Sequence, residues 1–162
     1  MDKATWLEDC RLWCQQVKYV GESLMWAQKP SRSTWLEATS QVLDENRATI
    51  PHLFFKGEYQ PGRMGERITY GLMYREGKEK RRVFMLEVWP AHERSHTENG
   101  IVIFGPHIHL GDERLRQITK KVRISIGPAT ECRWVERFVR HARIMAHENR
   151  MIVPPFAEDL FG

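Results

Sequence analysis

Between His52 and Leu110 the apolar residues stop recurring at helical spacing and alternate instead, and this change of period constrains the fold more than any other feature of the chain. "HLFFKGEY" (52–59), "ITYGLMYR" (68–75), "RRVFMLEVWP" (81–90) and "IVIFGPHIHL" (101–110) read as strands, the second with Ile68, Tyr70, Leu72 and Tyr74 on one face. "QPGRMGER", "EGKEK" and "AHERSHTENG" place Gly, Pro and polar turn formers between them. A fifth segment, "KKVRISIG" (120–127), aligns Val122, Ile124 and Ile126. Connections this short join antiparallel neighbours, because a parallel crossover needs a dozen or more residues.

Helical spacing flanks this region. Trp6, Cys10, Trp13, Cys14, Val17 and Leu24 predict an N-terminal helix that Gly21 bends or shortens and "QKPS" ends. Thr34 and Glu37 have the capping-box spacing, which predicts a second helix through Trp35, Leu36, Val42 and Leu43 to about Arg47. After "GPAT", Trp134, Phe138, Ala142 and Met145, widened by Val135 and Val139, predict a last helix; the tail "IVPPFAEDLFG" is broken by its Pro-Pro. The expected architecture is a single α+β domain over 1–162. It has an antiparallel meander of about five strands, with two N-terminal helices and one C-terminal helix packed on one face.

A chain of 162 residues is long enough to bury a core without staples. No stretch approaches the roughly 20 apolar residues of a membrane span. The charged start "MDKATWLEDC" is unlike a secretory signal, and three cysteines make no disulfide framework, so a cytoplasmic setting and no membrane partner are expected. The net charge of +4 and pI near 9.1 permit a nucleic-acid partner without requiring one. Four of the tryptophans (Trp6, Trp13, Trp35 and Trp134) fall on apolar stripes and read as core, while Trp26 and Trp89 stand at element ends, where either packs or lines a pocket.

The chemistry concentrates in "GPHIHLGD" (105–112). In a strand, residues two apart share a face, so His107 and His109 stand about 6–7 Å apart on one side. Folding the strands about "AHERSHTENG" brings them near Arg82, Val83, Phe84 and Met85, with Glu87 on the same face in one of two registers. Asp112 and Glu113 follow directly, and His52 joins if the first strand is adjacent. His92 and His96 lie in the loop, roughly 20 Å from His107 along the strand, and form a separate pair. A set of His107, His109 and Glu113 suits Zn, Mn or Fe(II) as a metal centre. His107, His109, Arg82 and Glu87 suit acid–base catalysis. Histidines at a strand end beside a glycine turn also occur with neither role.

Three resemblances attach to these residues. "HIHLGDE", with His107, His109 and Glu113, resembles the first motif of the cupins, which implies a metal-dependent enzyme acting on a small molecule. "HIH" resembles the motif of HUH nickases, which implies a divalent metal and a tyrosine nucleophile; Tyr19 is available near the N-terminus. The stretch 81–113, through Asn99-Gly100 and Gly105-Pro106-His107-Ile108-His109, is similar to small uncharacterised proteins of bacterial mobile elements and phages. That similarity implies a neighbourhood of toxin–antitoxin type and brings no known activity with it.

A second charged feature lies further on. Arg133, Arg137, Arg140 and Arg143 occupy the helix side away from Trp134 and Phe138. With Lys120, Lys121 and Arg123 they could form a phosphate-binding surface, interrupted by Glu131 and Glu136. Three functions follow as expectations. The first is a toxin-like nuclease hydrolysing phosphodiesters at the His-x-His pocket, with Arg82 or Arg123 stabilising charge on phosphate. The second is a non-enzymatic module that binds protein or nucleic acid. The third is a cupin-like metal enzyme.

Overall fold

The computed structural model describes residues 2–21, 24–61, 66–90, 93–98, 100–112, 114–117, 128–145 and 152–155. Two helices, α1 (Lys3–Gln15) and α2 (Pro128–Ala142), flank ten strands. These are β1 (Tyr19–Val20), β2 (Ala27–Lys29), β3 (Arg32–Leu43), β4 (Thr49–Gln60), β5 (Arg67–Glu76), β6 (Glu79–Val88), β7 (Arg94–Glu98), β8 (Ile101–Phe104), β9 (His107–Leu110) and β10 (Arg114–Gln117). Eight of them form one antiparallel sheet in the order β1-β3-β4-β5-β6-β9-β10, with β2 beside β1 on the free edge of β3. The hairpin β7–β8 is a separate two-stranded sheet.

This corrects the expected α+β fold of about five strands and three helices. The chain is mostly antiparallel sheet, with two helices among the described residues. The predicted second helix is β3, the longest strand together with β4. Its inward row is Leu36, Ala38, Ser40 and Val42. Two members of that row are too small or too polar to register as hydrophobic, so the period of two was hidden behind the helical spacing of Trp35-Leu36 and Val42-Leu43. Ala38 opposes Gly57, and this narrow place in the sheet admits the ring of Trp26. The first helix ends at Gln15 instead of reaching Leu24; Gln16 is already extended, and Tyr19 and Val20 pair with Leu43 and Val42. "KKVRISIG" lies outside the described residues, among which the last strand of the sheet is β10.

Both helices pack on the same side of the sheet. Phe138 of α2 meets the rings of Phe55, Tyr70 and Phe84 at 5.7–5.9 Å. Trp6 and Trp13 of α1 close on Tyr74 at 5.5 and 5.2 Å. Each such side chain contributes about 1.5–3 kcal/mol when fully buried. The register carries this apolar row across the strands: Phe55–Leu72–Phe84–Leu110 in one rank and Tyr70–Leu86–Ile108 in the next. The alternate residues of β6 and β9, including Met85, Glu87, His107 and His109, point to the opposite face. Among the described residues no helix is long and apolar enough to cross a membrane.

Candidate metal centre

"IVIFGPHIHL" is two strands. Gly105 has a left-handed φ of +67° and Pro106 has no N–H to donate, so the ladder of β8 stops and β9 restarts in the main sheet. Gly111, at φ +59°, ends β9, and its N–H donates to the Val83 carbonyl at 2.8 Å. Because β8 leaves the sheet, β9 pairs with Phe84–Glu87 of β6 rather than with residues 82–85. His107 lies directly opposite Glu87, and His109 opposite Met85. In this register Glu87 shares the histidine face.

The three side chains converge. Glu87 Oε2 is in contact with His107 Nε2 and lies 3.2 Å from His109 Nε2. The imidazole centroids are 4.9 Å apart, and one ligand atom from each of the three residues lies within 4.8 Å of the others. His107 is 0% and His109 4% exposed, and the Glu87 side chain 14%. Trp89 presents its ring to His107 at 6.1 Å and carries the Arg67 guanidinium 4.3 Å above it; Arg67 in turn pairs with Glu93.

The protonation pattern at His107 follows from its partners. Gly105 O is 2.8 Å from Nδ1. A carbonyl only accepts, so Nδ1 carries the hydrogen, and in a neutral ring Nε2 then offers a lone pair. Glu87 faces Nε2 with an oxygen. Burial alone would raise the Glu87 carboxyl, but hydrogen bonds from His107 and His109 outweigh it and hold the group well below the usual carboxylate range. An ionised carboxylate also only accepts, so the contact needs a positive species between the two atoms. A shared proton or a shared metal cation meets that need. Burial lowers the pKa of His109, opposed by its hydrogen bond to Glu87 and reinforced by the charge of Arg82.

The other predicted site residues fall variously. Arg82 donates from Nε to Gly111 O at 3.3 Å, close enough to act on His109. Glu113, predicted as the metal carboxylate, lies outside the described residues, as do Lys120, Lys121, Arg123 and His92. His52 bonds Arg75 O at 2.9 Å and rests on Tyr74, away from the centre. Arg133 and Arg140 are exposed on α2, and Arg137 leans over Trp134. Gly105 was missed as a functional residue, although a Gly-Pro directly before a His-x-His signals that a backbone carbonyl turns back on the first ring.

No family model matches the chain, and no curated protein or solved structure matches it significantly.

Proposed function

We propose that the chain is a divalent-metal protein whose centre is Glu87, His107 and His109, and that it acts on a small molecule. The observation that carries this reading is the convergence of three potential ligand atoms, one each from Glu87, His107 and His109, within 4.8 Å of one another, with His107 Nδ1 tied to Gly105 O. Two imidazoles and one carboxylate suit Zn, Mn or Fe(II). The Nδ1–H···O=C bond is the outer support that metal-ligating histidines characteristically have. The three ligand atoms already lie within 4.8 Å of one another, so side-chain adjustments alone would seat one ion. Three protein ligands leave coordination positions open, where a bound ion would polarise a substrate oxygen or acidify a water. The burial of both histidines supports a small substrate over the phosphodiester of a polymer, which needs an open groove. The unpaired thiols of Cys10 and Cys14 support a reducing, cytoplasmic setting.

Untagged protein is expected to retain about one Zn, Mn or Fe per chain by elemental mass spectrometry, and His107→Ala/His109→Ala less than about a tenth of that. Glu87→Gln, nearly isosteric, is expected to keep the wild-type circular dichroism spectrum while binding the metal at least tenfold more weakly. Added metal is expected to raise the melting midpoint of wild type alone. Wild type that takes up none of the three metals overturns the reading and leaves His107 and Glu87 as a buried hydrogen-bonded pair.

A further inference from the structure

On the helix side of the sheet, behind β9, a groove of about 660 Å³ opens between α1 and α2. Its floor is apolar: Phe84, Ile108 and Leu110, with the His141 ring stacked on Phe84 at 5.3 Å. Arg11 stands on one wall and Arg140 and Arg143 on the other. Among the described residues no carboxylate lines it. Arg11 makes an exposed contact with Glu8 at 3.5 Å, and Arg143 directs one nitrogen to Gln15 O at 3.0 Å. The groove continues over Val139, Ile144 and Met145 into a second recess of about 400 Å³ that shares Arg140 and Arg143, with Glu136 at its border. Met145 is 55% exposed there.

Three arginines lining a concave apolar floor suit a ligand with two parts, an anionic head and a hydrocarbon body. The volume falls in the range of small-molecule sites, about 300–1,000 Å³. Guanidinium forks match carboxylate geometry bidentately. We propose that this groove binds a small amphipathic organic carboxylate, its head between Arg11 and Arg140 and its chain along Ile108 and Leu110. The site is independent of the metal reading, because its lining shares no residue with Glu87, His107 and His109 and lies on the other face of the sheet.

Decanoate is the probe, titrated calorimetrically into the full-length chain. The expected result is saturable one-to-one binding, weakened at least tenfold in Arg11→Ser/Arg140→Ser. Both side chains are exposed, so the variant is expected to keep the wild-type melting midpoint. Decanol, without the head, and inorganic phosphate, without the chain, are each expected to bind at least tenfold more weakly. Failure of decanoate to bind, or binding indifferent to the double substitution, overturns the proposal. So does phosphate binding as tightly as decanoate. If a short single-stranded RNA binds at these arginines and decanoate does not, the basic helix is a nucleic-acid surface and the proposal is wrong.

Discussion

Gly57 occupies a point where a methyl group would meet Trp26 Cη2 at 2.7 Å and Cζ2 at 3.0 Å. The indole is rigid, so it must either tilt or strain the strand. Gly57→Ala is expected to cost about 1–3 kcal/mol in urea denaturation, and Trp26→Leu to remove most of that cost when the two are combined. An unchanged midpoint for Gly57→Ala would show that the ring is not held against the sheet. The same precision limits how far the centre could be read from sequence. The shared face of His107 and His109 followed from strand geometry alone. That Glu87 joins them depended on register, which turned on whether one Gly-Pro interrupts a strand, and nothing in the apolar alternation of 101–110 announces the break.

At the scale of elements, Lys18 is wholly buried, and its ammonium donates to the carbonyls of Trp13 and Gln16 at the end of α1. Its backbone accepts from Met145 N at 2.7 Å and donates to Arg143 O at 3.0 Å, tying this end of α1 to the end of α2. Lys18→Met keeps most of the stem but orphans both carbonyls, and is expected to cost about 1–3 kcal/mol. A neutral result in denaturant titration would mean that water replaces the ammonium. The strands β4, β5 and β6 were legible because their inward rows are large: Leu53, Phe55 and Tyr59, then Ile68, Tyr70 and Leu72, then Phe84, Leu86 and Val88. β3 was not, because Ala38 and Ser40 face inward where Trp26 and the sheet need room. Thr34 and Glu37, read as a capping box, are ordinary residues of that strand. Pairing of Leu36–Leu43 with β4 outweighs any local helical preference.

For the whole molecule, the ionisable groups buried at α1 and its end bear on the alkaline side of the stability profile. Burial raises the Cys10 thiol to about 12 and the Cys14 thiol to about 11, and lowers the Lys18 ammonium to about 8. Thiols that ionise earlier in the unfolded chain contribute stability that is lost as pH rises from about 9 towards those folded values. Lys18 acts oppositely, adding stability between about 8 and its unfolded value near 10.4. Two losses against one gain make the urea midpoint fall above pH 9. Cys10→Ala/Cys14→Ala is expected to reverse the sign between pH 8 and 10; a midpoint that still falls there would place the cause elsewhere.

Val83 has a different reach. It is the extra residue of β6, inserted between the pairs Leu72–Phe84 and Met73–Arg82. In a regular ladder that kept it, Arg82 would turn under the helices and Arg81, now lying over Trp6 at 3.9 Å, would turn towards the histidines. The strand is written in a shifted frame, and the frame, not the composition, decides which arginine each face receives. A chain shortened by Val83 would leave every upstream side chain on its present side, whereas a substitution that irons the strand flat would reverse them all.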